Sequence, residues 1–221
     1  MAAAIIIGSW LWLLKSLRDS NAKREWAETA LMDSEEKSHL IENQTRLAEI
    51  GKALQTCKAY ADFGNTLTSE LGTAMGLAYG AFYVSDKAHT SLQRFGGYAC
   101  EDIGNGPIFA WGQGLVGQAA LDRQPISLEL PTSGSIAAII GIGSIAIRYV
   151  YLVPVVHRGE VLAVIELGSL GTFDEKQKAF LDALLPVVAM NMEILSANIE
   201  TRELLTGSRP CHIGISAKGA R

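Results

Sequence analysis

The side chains most able to do chemistry in this chain are its histidines and cysteines, and both kinds are scattered. A predicted helix, two predicted turns and the C-terminal segment hold one histidine each: His39, His89, His157 and His212. The cysteines are odd in number and form no Cys-x-x-Cys pair: Cys57, Cys100 and Cys211. Neither a disulfide framework nor a zinc site is indicated. We expect no catalytic residue, no metal ligand and no enzyme activity, and a reducing, cytoplasmic setting.

One carboxylate has an unusual setting. Glu166 lies among apolar residues in a predicted strand, where alternation groups it with Leu162 and Val164 and turns the intervening residues to the other face. A lone buried carboxylate is costly unless it is paired or hydrogen-bonded. Glu166 therefore either faces a polar pocket or lies at the open end of the sheet. We take the polar pocket as the hypothesis to test.

Aromatic residues could supply the apolar wall of such a pocket. The candidates are Tyr98, Phe109, Trp111, Tyr149 and Tyr151. Two of them lie in a glycine-rich predicted loop over residues 101–113, where they could cover a pocket or pin the loop to the core. A short predicted helix follows, and its first residues, Gly114 and Leu115, could aim N–H groups at an anionic or carbonyl-bearing ligand. Alternatively, Gly114 and Gly117 only permit close packing on the sheet.

These candidates are positioned by a predicted β-hairpin over residues 148–169. Two runs rich in Val, Ile, Leu and Tyr flank the segment 157–160, in which Gly159 can take the positive φ of a tight turn. Both strands are apolar on both faces, so we expect a central sheet covered on each side. Pro154 cannot donate to a ladder and must lie at an edge, an end or a bulge.

The remaining segments predict an alternation of helices and strands. Helices are expected over 60–76, 114–124 and 174–205, the last with Asp174 and Gln177 as a capping box and Pro186 as a kink. Strands are expected over 78–86, 91–100 and 125–130. Residues 131–144 show no clear period. Residues 206–221 change abruptly in composition, which predicts a disordered tail.

The N-terminal third predicts a membrane-proximal helix. Residues 2–14 are apolar, contain Trp10 and Trp12, and are followed by Lys15 and Arg18. This run is too short to cross a bilayer alone, so it is interpreted as the inner end of a transmembrane helix; a signal peptide or a terminal helix are the alternatives. Residues 16–56 predict one long helix with an apolar seam that includes Leu40, Leu47, Ile50 and Leu54. The seam could pair with its twin in a dimer or pack on its own domain, the latter being favoured beyond residue 50.

The composition also limits the size of the core and the classes of binding partner. With 221 residues and 48% hydrophobic content, the chain can bury one core with helical extensions. The formal net charge of -4 and the lack of a basic stripe argue against nucleic-acid binding.

Four motifs in order resemble the GAF domain of bacterial signalling proteins. They are Gly112-Gln-Gly-Leu-Val-Gly-Gln-Ala, Val153-Pro-Val, Gly159-Glu-Val-Leu-Ala-Val-Ile-Glu-Leu-Gly-Ser and Phe173 with its capped helix. The resemblance implies an α+β fold related to PAS domains, with an antiparallel sheet of about six strands. Terminal helices would cover one face, and a ligand pocket with short helices the other. The implied division is 1–14 membrane-proximal, 15–46 signalling helix, 47–195 GAF domain, 196–205 exit helix and 206–221 tail.

The implied function is sensing of an unidentified small molecule by a membrane-tethered homodimer at the cytoplasmic face of the inner membrane. Its output would pass to a histidine kinase or another output domain. The alternatives are a ligand-free dimerisation scaffold and, less favoured, an enzyme similar to free methionine sulfoxide reductases, for which Cys100 has no evident partner cysteine. The motifs of cyclic-nucleotide and bilin-binding relatives are not matched.

Overall fold

The computed structural model describes residues 37, 38, 40–100, 106–131, 137–140 and 143–206. The chain divides into two compact units, Met1–Arg46 and Leu47–Arg221. In the first unit the described residues are helical, and Arg46 pairs with Glu42 at 2.8 Å. The predicted membrane segment over residues 1–14, most of the signalling helix and residues 207–221 of the predicted tail lie outside the described residues; residue 206 is the last of α4.

The second unit is built on a six-stranded antiparallel sheet of order β3-β2-β1-β8-β7-β4, as predicted for an α+β fold of the GAF type. Its strands are β1 (Tyr79–Ser85), β2 (Ser91–Tyr98), β3 (Ile108–Ala110), β4 (Ile126–Glu129), β7 (Tyr149–His157) and β8 (Glu160–Ser169). A separate two-stranded sheet joins β5 (Ala137–Ile140) to β6 (Gly143–Ala146). The hairpin β7–β8 predicted from its apolar runs is therefore flanked on both sides by other strands.

One face of the sheet is covered by three helices. They are residues 47–55 of α1 (a helix over residues 40–55), α2 (Tyr60–Met75) and α4 (Glu175–Thr206). Ile50 and Leu54 are buried in the same core as Phe63 and Leu184, and Leu47 packs against it. From residue 47 onward, the apolar seam thus packs on its own domain, which was the interpretation favoured for its second half.

The other face is covered in part by α3 (Gly114–Asp122). Val116, Ala119 and Ala120 pack there against alternate residues of the sheet, among them Ala81 and Leu152. A Cβ atom added at Gly117 would overlap the carbonyl oxygen of Ala110. Gly117 is therefore needed for close packing of α3 on β3, which was the plainer of the two interpretations of these glycines.

Capping residues fix the helix ends as predicted. The Asp174 Oδ1 atom accepts from the Gln177 N–H at 2.7 Å, and Gln177 Oε1 accepts from the Asp174 N–H at 3.0 Å, which is a capping box at the start of α4. Gly76 ends α2 with φ of 66°. By length and composition α4 could cross a bilayer, but 44% of its most apolar window is buried inside this unit.

Two segments differ from the prediction. The expected loop over 101–113 contains strand β3, whose three residues pair with Ser91, Leu92 and Gln93. Three residues are too few to show a strand period. Within residues 131–144, which had no assignment, the backbone forms the hairpin of β5 and β6.

Candidate functional site

A β-bulge determines which side chains face Glu166. Near the turn, where Arg158 and Gly159 both have positive φ, His157 pairs with Glu160 and Val156 with Val161. Beyond the turn Val155 pairs with Ala163, so Leu162 is an extra residue in β8. Leu162 then packs with the helix-covered face, which corrects its predicted grouping with Glu166 and Val164.

Glu166 lies on the α3 face of the sheet. Its cross-strand neighbours are Ala81 on β1 and Leu152 on β7, and both belong to the core cluster under α3. The residue is only partly buried. It lies within β8, one of the two central strands, and is paired on both sides, which excludes the alternative that it lies at the sheet's open end.

Two tyrosines from β1 surround the carboxylate. The Tyr83 hydroxyl donates to Glu166 Oε2 at 2.8 Å. Tyr79 lies four residues earlier on the same face of β1, and its phenol is within hydrogen-bonding reach of both groups. The guanidinium of Arg94, the cross-strand neighbour of Tyr83, adds a positive charge nearby. The carboxylate is thus hydrogen-bonded, as a buried acid requires.

Burial dominates the protonation chemistry of this cluster. It raises the pKa of Glu166 above its ordinary value, although the Tyr83 hydrogen bond, the Arg94 charge and Tyr79 act in the opposite direction. Burial, followed by the charge of Glu166, raises the pKa of Tyr79 to about 12. The same two causes raise the pKa of Tyr83 above its ordinary value. Both phenols therefore stay protonated near neutral pH and act as hydrogen-bond donors.

The predicted aromatic residues Phe109 and Trp111 lie on the same face as Glu166. The Phe109 ring meets the Tyr83 ring edge-on at 5.7 Å, and Gly114 approaches Phe109 closely. Trp111 packs against the same core cluster, and its buried indole nitrogen has no hydrogen-bond partner among the described residues. Leu115, in the first turn of α3, is 45% exposed. The structure therefore gathers Phe109 and Glu166 around Tyr83, with Gly114 against Phe109.

The other three predicted aromatic residues lie on the opposite face. Tyr98 packs on Gly72 of α2, so closely that a Cβ atom there would come 2.9 Å from its ring. Tyr149 packs against the helix-covered core, with its hydroxyl 3.4 Å from Glu129. Tyr151 is buried against Phe173 at 5.4 Å, and burial raises its pKa. Strand alternation, with the bulge, directs all three away from Glu166.

A free cysteine joins the α3-face cluster. A Cβ atom added at Gly97 would overlap the sulfur of Cys100, so the thiol occupies the space above that glycine. Cys100 also acts electrostatically on Tyr79. Cys57 lies instead in the helix layer, 3.7 Å from Thr66, and Cys211 is outside the described residues. No group of three or more metal-ligating side chains occurs among the described residues.

The two described histidines are partly buried and have acidic neighbours, so they are not simply solvated turn residues. His89 lies 3.5 Å from Glu160 and stacks edge-on against Trp111. His157 lies 2.9 Å from Glu193 of α4. Both hairpin turns are thereby tied to other elements at one end of the sheet.

Sequence reasoning missed Tyr79 and Tyr83. Their spacing of four places both side chains on one strand face, which is a readable signal. Linking that face to Glu166 required the β1–β8 register, which only the structure supplies.

The family model for the GAF domain matches residues 57–193, which is more than half of the chain. The chain therefore belongs to the GAF domain family. This family supplies signalling and sensing modules, and the six-stranded antiparallel sheet with its helices is the GAF fold. No curated protein matches the chain.

Solved structures agree on the fold. The GAF domains of phosphoenolpyruvate-protein phosphotransferases from Acinetobacter and Coxiella burnetii are 17% and 16% identical, each with a TM-score of 0.57. The alignments cover 70% and 76% of this chain, and 94% and 98% of those chains. Free methionine-R-sulfoxide reductase from Neisseria meningitidis, in complex with its substrate, is 19% identical with a TM-score of 0.53, covering 70% of this chain and 90% of that one. At these identities the likeness establishes the fold alone.

Proposed function

We propose that this GAF domain binds a small molecule on the α3 face of its sheet and relays occupancy to its flanking helices. The hydrogen-bonded, partly exposed Glu166 carboxylate carries this proposal. A purely structural sheet has little use for an acid on an inner strand, because an apolar residue there would avoid the desolvation penalty. A ligand that donates hydrogen bonds to Glu166 would offset that penalty and give the carboxylate a role in binding.

The hairpin turns offer a route from the site to α4. Glu166 and Tyr83 lie on β8 and β1, which form one arm of each hairpin. Lys87 in the β1–β2 turn pairs with Glu200 at 2.7 Å, and Arg158 in the β7–β8 turn pairs with Glu193 at 3.4 Å. A ligand that fits one arrangement of these strands better than another would shift the position of α4.

Dimerisation through α4 fits its exposed surface. Its solvent-facing side carries a charge-free row at three-and-four spacing: Ala183, Pro186, Met190, Ile194, Ala197, Thr201 and Leu204. Met190 and Ile194 are 59% and 49% exposed. Such a row is typical of a helix that pairs with a second copy of itself.

The cellular setting extends the proposal. The apolar residues 2–14, with two tryptophans followed by basic residues, favour attachment at the cytoplasmic face of the inner membrane. In this arrangement the chain would act without catalysis and pass its state to a histidine kinase or another output domain. In a bacterial membrane-bound signalling protein of this kind, the predicted helices on both sides of the domain would connect it to the membrane and to the output domain.

Native mass spectrometry of the full chain tests the proposal. A retained small molecule should appear as an extra mass that is lost on denaturation. The same mass should be depleted in Glu166→Gln and kept in Glu70→Gln, whose exposed carboxylate lies on α2, beneath the other face of the sheet. A chain that carries no ligand and gains no thermal stability from a metabolite panel would favour the ligand-free dimerisation scaffold instead.

The position of Cys100 favours a second candidate function. Its thiol lies on the α3 face beside Tyr79, so a sulfoxide bound near Glu166 would have a nucleophile within the same cluster. Turnover of free methionine sulfoxide with dithiothreitol as the reductant, lost in Cys100→Ala, would support a reductase. Equal rates in the wild type, the variant and a blank would exclude it.

A further inference from the structure

A cavity lies between the helix layer and the β1–β2 hairpin, on the face of the sheet opposite Glu166. It has a volume of about 850 Å³, which is within the range of small-ligand sites. Its walls are the first turn of α2, the β1–β2 turn and the final turns of α4. We call it the α4 groove, and its lining includes Lys58, Tyr60, Ala61, Phe95, Ser196 and Ile199.

The floor of the α4 groove is apolar. Phe95 and Tyr60 form a tilted ring pair at 5.5 Å, and Ile199 packs against the same core. Val84 is buried beneath them. An aliphatic or aryl body placed here would cover apolar surface that the fold leaves open.

The rim of the α4 groove carries charges of both signs, Arg202 and Glu203 among them. Lys87 pairs with Glu200, and the Asp86 carboxylate accepts from Thr90 and Ser91 within its own turn. Lys58 is exposed and, among the described residues, has no ion pair. An anionic head group at Lys58 would therefore meet a positive charge that the protein has not already neutralised.

We infer that the α4 groove binds a free amphiphilic carboxylate, with its apolar body on Phe95, Tyr60 and Ile199 and its carboxylate at Lys58. Because the opposite wall is the end of α4, an occupant would hold residues 196–203 against the β1–β2 turn. This site is separate from the α3 face and does not depend on what Glu166 binds.

Calorimetric titration of the full chain with dodecanoate, below its micelle concentration, tests this inference. We expect one bound molecule per chain. Replacing Lys58 with Gln should weaken dodecanoate binding about fivefold, as the loss of one exposed charge pair does at its upper range. Binding of uncharged dodecanol should not change. Lys176→Gln, an exposed lysine in the first turn of α4, is the matched control and should bind dodecanoate like the wild type.

A variant that fills the α4 groove tests where dodecanoate binds. Ala61 is exposed on α2 and lines the groove, so Ala61→Trp should fold normally and abolish binding. Bound dodecanoate should also slow hydrogen exchange of amides 196–206, and Glu166→Gln should leave its affinity unchanged. Absence of binding overturns the inference, as does equal weakening by Lys58→Gln and Lys176→Gln. Full binding by a folded Ala61→Trp variant, or equal binding of dodecyltrimethylammonium, also overturns it.

Discussion

The hydrogen bond between Tyr83 and Glu166 holds together the polar cluster of an otherwise apolar sheet. Replacing Tyr83 with Phe removes the donor at 2.8 Å and leaves the carboxylate without that partner. We expect a loss of about 1–3 kcal/mol in the free energy of unfolding, the usual cost of an unsatisfied, partly buried group. Urea unfolding followed by circular dichroism measures this loss.

Tyr98→Phe is the matched control, because its ring packs on α2 and its hydroxyl has no hydrogen bond among the described residues. It should cost less than about 0.5 kcal/mol. In a Glu166→Met background, Tyr83→Phe should also become nearly neutral, because no carboxylate is left unsatisfied. Equal losses for the two tyrosine variants would show that the hydrogen bond contributes no net stability.

Glu166 also predicts a pH dependence of stability. Burial raises its pKa in the folded protein, so between the ordinary glutamate pKa and the raised value the folded state binds more protons than the unfolded chain. The contribution of Glu166 to the free energy of unfolding is therefore fully present below the ordinary glutamate pKa. It is lost as the pH rises through the pKa that Glu166 has in the folded protein. The slope is at most about 1.4 kcal/mol per pH unit. Above about pH 4.5, wild type should therefore lose stability relative to Glu166→Gln.

The measurement is the free energy of unfolding of both proteins from pH 4 to pH 8. Glu70→Gln should follow the wild type throughout, since its side chain is exposed on α2. A constant difference between wild type and Glu166→Gln would mean that the acid has the same proton affinity folded and unfolded.

At the scale of elements, the bulge in β8 determines which side chains lie beside Glu166. A regular two-residue turn would pair Tyr151 with Glu166 across the hairpin, and Tyr151 was a predicted site residue for that face. The extra residue Leu162 shifts the register by one, so Leu152 lies opposite Glu166 and Tyr151 opposite Leu167. The alternation was readable from the sequence, but the bulge was not.

Deletion of Leu162 tests this account. Val161 and Val164 already lie on the α3 face and Ala163 on the helix face, so removing Leu162 would leave a continuous alternation. We expect a folded protein that loses only the packing of a half-buried leucine, about 1–2 kcal/mol. Urea unfolding gives the loss.

The matched control is deletion of Val153, a regular residue of β7 that pairs with Ile165. That deletion would turn residues 149–152 to the wrong face and should prevent folding. If both deletions are equally disruptive, the bulge is required for the sheet and is not a tolerated insertion.

For the whole molecule, the sequence was most informative where two independent patterns agreed. The hairpin β7–β8 was apolar on both faces, and the sheet is indeed covered by helices on each side of it. The seam Leu47, Ile50 and Leu54 had the period of a helix, and it packs in the core. Strand β3 was missed because its three residues are stabilised by pairing to β2, which is a long-range interaction. The sheet faces on which Tyr98 and Tyr149 lie were also missed, because they too depend on pairing between strands.

The exposed row on α4 makes a prediction for the assembled molecule. If Met190 and Ile194 meet their counterparts in a second copy, a Met190→Glu/Ile194→Glu double variant places two like charges per chain in an apolar contact. The full chain at about 100 µM should have twice the mass of one chain by light scattering, and the double variant the mass of one. Leu170→Glu is the control, since Leu170 is 45% exposed outside α4 and should stay dimeric. Because the mutated side chains lie outside the core, the monomer should keep its sheet and its Tyr83–Glu166 bond. A double variant that remains dimeric would move the contact away from α4, and a relay through paired exit helices would then lose its physical basis.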